Sequence, residues 1–226
     1  MVDKKLARKL IKTLPHGLDD LFNPWVDSCP EDINGNGPKQ KITRLAEHLD
    51  CRPKYILCGE APGYQGCRHS GIAFTSERLL LEGKIPRIGI PTKRLTSRDL
   101  PFSEPSATII WKALYNLGIA ESTILWNALQ MHPLKEGDIR TNRTPTLDEL
   151  ALGEPAIKIL LKAFPKAKLI AVGKKAEGLL GDMGVATVGS VRHPANGGAT
   201  KFFDGMSEIV KKTQGKKSRA VKKASV

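Results

Sequence analysis

Four short apolar runs constrain this chain more than any other feature. Residues 54–59 (KYILCG), 123–130 (TILWNALQ), 168–173 (KLIAVG) and 186–192 (ATVGSVR) each have the pattern of a strand covered on both faces. Between and before them the apolar spacing is helical. Leu6, Leu10, Ile11 and Leu14 mark a helix over 3–14, and Ile42, Leu45, Ala46 and Leu49 mark another over 39–50. Ser103 and Pro105 open a helix that reaches Gly118, and residues 174–183 and 200–212 form two more. Thr146-x-x-Glu149 is a capping box that opens a helical region to about Phe164, broken near Gly153 and Pro155. Strands alternating with helices predict an α/β fold: a small central parallel four-stranded sheet with helices on both faces. Ligands of such sheets sit beyond the carboxyl ends of the strands. The loops after Gly59, Trp126 and Val191 are therefore where function is expected.

The 226 residues suit a single domain over 1–210, with 1–38 as a helical and loop extension and 211–226 as a basic, disordered tail. A chain of this size buries roughly 70% of its unfolded surface, so it folds without disulfides or metal. Cys29, Cys51, Cys58 and Cys67 form no C-x-x-C pair, which argues against a disulfide framework or a zinc site and for a reducing compartment. No apolar run reaches the ~18 residues of a membrane span. The N-terminus lacks the continuous apolar stretch of a secretory signal. The expected location is the cytoplasm, nucleoid-associated in a bacterial cell, with a nuclear location the alternative.

The formal charge of +13 points to a polyanionic partner. Residues 1–12 contribute +4 and 211–226 contribute +7, which leaves only +2 for the body. Any phosphate contact on the body must therefore be a local patch. The segment 84–98, with Lys84, Arg87, Lys93, Arg94 and Arg98, is the leading candidate, joined by Arg68, Arg140 and Arg143. The tail reads equally as a solubilising end or a phosphate-binding arm.

The three loops carry unusual polar residues. The first runs Gly59-Glu60-Ala61-Pro62-Gly63-Tyr64-Gln65-Gly66 and on to Phe74-Thr75. The second holds Asn127 and then Asn142-Arg143-Thr144-Pro145-Thr146, and the third reads Arg192-His193-Pro194-Ala195-Asn196-Gly197-Gly198. G-x-G-x-x-G is absent, and Gly173-Lys174-Lys175 is no P-loop. In order and position the three motifs resemble those of the uracil-DNA glycosylase superfamily over about residues 54–200. Gly-Glu-x-Pro-Gly and Asn-Arg-Thr-Pro-Thr are closest to its thermostable, iron–sulfur branch, family 4.

The resemblance implies a base-excision enzyme acting on uracil in single- or double-stranded DNA, working as a monomer and away from membranes. Gly59, Ala61, Pro62, Gly63, Tyr64 and Asn196 would shape the pocket, Phe74 would stack on the flipped base, and Asn127 would read its edge. His193 would stabilise charge on the departing base, with Glu60 or Gln65 at the attacking water. Plainer roles stand beside these: a local ion pair for Glu60, a backbone bridge for Asn127, core packing for Phe74 and a turn for His193. His69 and His132 read as structural. The chain also departs from the family pattern. Ala61 stands where the best-known branch has an Asp, Gly63 where it has a Tyr, and Asn196-Gly197-Gly198 offers no leucine wedge. Met131 replaces a cluster cysteine of the iron–sulfur branch, so no cluster, metal or other cofactor is expected.

Overall fold

The computed structural model describes the backbone of residues 2–223 and the side chains of residues 2–214. In chain order the strands are β1 (Leu21–Phe22), β2 (Tyr55–Gly59), β3 (Thr123–Asn127), β4 (His132–Pro133), β5 (Lys168–Val172) and β6 (Gly189–Val191). The α-helices are α1 (Lys5–Ile11), α2 (Pro38–Leu49), α3 (Cys67–Ser70), α4 (Glu77–Leu81), α5 (Pro105–Asn116), α6 (Leu147–Ala151), α7 (Glu154–Ala163), α8 (Lys174–Asp182) and α9 (Ala199–Lys223). Strands β3-β2-β5-β6 form one four-stranded sheet, parallel throughout. β1 and β4 form a small antiparallel pair that the sequence pattern did not suggest.

The two-residue period of the strands divides the core. Tyr55, Leu57, Leu125, Ile170 and Val172 face one side, where α5 and α9 supply Ile110, Trp111, Phe202 and Met206. Ile56, Cys58, Ile124, Trp126, Leu169 and Ala171 face the other, against Leu10 of α1, Leu45 of α2 and Ile157 of α7. β3 is an edge strand, and its Leu125 N–H is satisfied by the Nε2 of buried His48 at 2.9 Å. Burial, with Arg87 nearby, pushes the pKa of His48 down to about 3, so the ring stays neutral and able to accept.

Several predicted elements differ in extent. The helical region from Thr146 does not: it breaks into α6 and α7 around Gly153 as expected, and its capping box is formed. The strand expected over 123–130 ends at Asn127, and that over 186–192 shortens to three residues at the sheet edge. α9 continues well past the predicted end. It is tied to the sheet by Thr213, whose Oγ1 lies 2.7 Å from the Tyr55 hydroxyl and whose carbonyl accepts from Lys168 Nζ at 3.0 Å. From residue 215 the side chains of the basic tail lie outside the described residues.

Candidate active site

The site begins where the two central strands end. Gly59 and Asn127 are paired in register as the last residues of β2 and β3. The Phe74 ring lies across that junction. A Cβ on Gly59 would stand 2.2 Å from Phe74 Cζ and 2.8 Å from Asn127 Oδ1, so only glycine admits this arrangement. Phe74 adopts φ +50°, a region costly for an aromatic residue, and Trp111 Nε1 holds its carbonyl at 3.0 Å. Asn127 is 2% exposed and its Oδ1 accepts no hydrogen bond from the described residues. It stands next to Phe74 at the strand ends and is not among the residues lining the open cavity.

In front of Phe74 is a cavity of about 600 Å³. Glu60, Ala61, Pro62, Gly63 and Gln65 form one wall, His193 and Asn196 another, and Asn142 to Pro145 a third. The His193 ring lies 6.1 Å from that of Phe74, tilted by 44°. The Ala195 N–H donates to His193 Nδ1 at 3.2 Å, which places the ring proton on Nε2. Burial, the largest influence, lowers the His193 pKa; Glu60 opposes it and Arg192 adds to it. The ring is therefore a neutral donor at physiological pH. Glu60 is paired with Lys175 Nζ at 3.1 Å, and the same ammonium reaches Thr144 Oγ1.

A second carboxyl group at the cavity escaped the sequence reading. Glu104, with Pro105 and Ser106, lines the cavity where α5 begins. Its Oε2 is enclosed and unpartnered, and it occupies the space a Cβ on Gly66 would need, 1.9 Å away. Burial pushes the Glu104 pKa up to about 7. In sequence, Ser103-Glu104-Pro105 signals only a helix start. Lys175 and Asn142 were also missed as site residues. Asn142 Oδ1 accepts from the Tyr64 N–H at 3.0 Å and fastens the first loop to the second.

The structure corrects several assignments. Arg68 cannot meet a phosphate: it is 1% exposed, 2.9 Å from His132 Nδ1, and its guanidinium lies 3.8 Å from the Phe22 ring centroid. Arg94 is committed to Glu77, and Arg143 to Asp20 and Glu149. Arg87 binds the carbonyls of Glu121 and Thr123 where β3 begins, so that part of 84–98 lies at the opposite end of the sheet from the site. Lys93 is exposed beside a groove with Asn34 and Gly35. Arg98, over the Phe102 ring, and Arg140, paired with Glu31, share one surface hollow. Tyr64 packs edge-on against Phe102, with ring centroids 6.2 Å apart, and is not among the residues lining the cavity. His69 and His132 are buried in polar networks.

These strand-end motifs coincide with a family match. The family model described as the uracil DNA glycosylase superfamily matches residues 46–214, most of the chain and all of the sheet. The chain belongs to the uracil-DNA glycosylase superfamily. It is thus a DNA glycosylase, a hydrolase of DNA repair whose substrate class is DNA. Its fold is similar to the crystal structure of wild-type Pedobacter heparinus SMUG2, with a TM-score of 0.62 at 18% identity, over 93% of this chain and 98% of that one. No curated protein matches it in sequence. Burial drives the thiols of Cys58 and Cys67 strongly toward the neutral form.

Proposed function

We propose that this glycosylase is monofunctional and hydrolyses the N-glycosidic bond of uracil in DNA, leaving an abasic site. The observation that carries the reading is the unpartnered, buried Oδ1 of Asn127 next to Phe74, with a neutral His193 beside the same ring. A nucleotide extruded from the helix at a cost of a few kcal/mol would stack on Phe74. Asn127 Oδ1 would accept from uracil N3–H while its amide NH₂ donates to O4. Cytosine presents the reverse pattern and leaves the buried amide unsatisfied, which is the stronger kind of discrimination.

As the C1′–N1 bond breaks, its electron pair delocalises onto the base and charge grows on O2. The Nε2–H of His193 would donate there, a contribution of about 2.7–4 kcal/mol for one well-placed donor. Glu60, anchored by Lys175, would oppose the positive charge developing on the sugar. A pKa of about 7 suits Glu104 to take the proton of the water that attacks C1′. That assignment answers the absence of an Asp at Ala61, with Gln65 as a further polar contact. Lys175, the lysine at this wall, is held by Glu60 and Thr144, so the reading includes no Schiff-base lyase step.

One observation favours a broader range of deaminated bases. Tyr64 turns onto Phe102, and at Gly63 a Cβ would meet only the Asn142 amide at 3.6 Å, so no aromatic ring screens the base there. Oligonucleotides carrying uracil, hypoxanthine, xanthine, thymine or cytosine, each incubated and then cleaved with alkali, test both readings. Excision of uracil with cytosine untouched is expected. Tight binding to abasic DNA with less than stoichiometric base release would replace the enzyme with a binding protein.

A further inference from the structure

Outside the cavity, three ligand-type side chains from two distant segments converge. Cys29 Sγ, a Glu31 carboxylate oxygen and a His69 ring nitrogen all lie within 4.8 Å of one another. All three residues are buried, His69 completely. The facing atoms, Glu31 Oε2 and His69 Nε2, are enclosed, make no hydrogen bond among the described residues and stand 3.7 Å apart, an ion-pair distance. Buried polar atoms are nearly always satisfied, so two orphans facing each other beside a thiol call for a common partner.

The opposite side of each group is held in place. His69 Nδ1 bonds Asp32 Oδ1 at 2.9 Å, and Asp32 Oδ2 is in turn held by Lys41. Glu31 Oε1 is engaged by Arg140 at 2.7 Å. Cys29 Sγ accepts from Arg68 Nε at 3.4 Å, a contact that favours the thiolate. The His69 ring is stacked on Phe102, centroids 4.5 Å apart. A histidine whose far nitrogen meets a carboxylate, and a carboxylate fixed by an arginine, are the outer contacts that orient metal ligands.

We propose that Cys29, Glu31 and His69 bind a divalent transition-metal cation of the zinc type. Thiolate, imidazole and carboxylate together suit zinc, whereas magnesium and calcium favour all-oxygen sites. Three protein ligands leave one position for water. Cys29 and Glu31 belong to the N-terminal extension, and His69 lies in α3, directly after the loop that carries Glu60 and Gln65. The cation would clasp the extension to the first loop of the active site. It goes beyond glycosylase activity and stands or falls separately from it.

The full chain, freed of metal by chelator and dialysis, is titrated with Zn²⁺ or Co²⁺. An equimolar uptake is expected, with a rise in melting temperature on adding Zn²⁺ and thiolate-to-cobalt charge-transfer absorption on adding Co²⁺. Cys29→Ser should lose that absorption, and Glu31→Gln should weaken metal affinity by about tenfold or more. No charge-transfer band in the wild-type chain, or an unchanged band in Cys29→Ser, would overturn the assignment. The first of these outcomes would leave His69 as a protonated bridge between Asp32 and Glu31. The wild-type titration decides the matter even if a variant does not fold.

Discussion

Single side chains carry the chemistry, and their contributions are separable. On the proposed reading, His193→Ala and Asn127→Ala would each remove one contact that strengthens toward the transition state. Each should slow single-turnover uracil excision by about tenfold or more, with melting temperature little changed. Glu104 makes a prediction in pH. Its carboxyl binds a proton more tightly folded than unfolded, its pKa rising from 4.5 to about 7. Stability is therefore lost as pH climbs through that window, because the unfolded state ionises first. Glu104→Gln should gain melting temperature over wild type from about pH 4.5 upward and level off above about pH 7. The same variant should lose the rise of excision rate with pH that a base of this pKa gives. Asn127, Phe74 and His193 were legible because each stands in a motif at a strand end. Glu104 was not, because a glutamate before a proline looks like any helix start, and only the fold brings it against Gly66. Arg68 was misread for a similar reason: in a four-residue helix, periodicity does not say which side chain turns inward.

At the scale of elements, the ends of β2 and β3 are the site. Gly59→Ala would push a methyl group into Phe74 and the Asn127 amide, whose atoms stand 2.2 and 2.8 Å from it. We expect base excision to fall by more than an order of magnitude, on the scale of a misplaced catalytic contact, while the sheet still forms. Circular dichroism and single-turnover kinetics on the same preparation would separate the two effects. The central strands were legible because burial on both faces leaves near-continuous apolar runs, KYILCG and KLIAVG. β1 and β4 were not, since two-residue strands have no period to detect. The segment 84–98 looked like a phosphate patch by charge alone. In the fold, Arg87 bonds backbone carbonyls and Arg94 pairs with a carboxylate, while Lys84, Lys93 and Arg98 remain exposed.

For the whole molecule, the +13 charge is divided between a nearly neutral body and two basic ends. α9 is anchored to the sheet through Thr213, so a truncation that spares the fold must begin after Gln214. Residues 215–226 hold Lys216, Lys217, Arg219, Lys222 and Lys223. Deleting them should weaken DNA binding at low salt and flatten its salt dependence, by about 0.9 in log–log slope for each phosphate no longer neutralised. Excision at saturating enzyme should keep its rate. Equal loss of binding and rate would place the tail in the catalytic complex. The cysteine spacing concealed the clasp at Cys29, Glu31 and His69, because its members meet only when the extension folds onto α3. The most direct test of the account is release of free uracil from a uracil-containing oligonucleotide at saturating enzyme, measured beside His193→Ala. One uracil freed per alkali-labile site, slowed in the variant, is the predicted result. No release from single- or double-stranded DNA would contradict it.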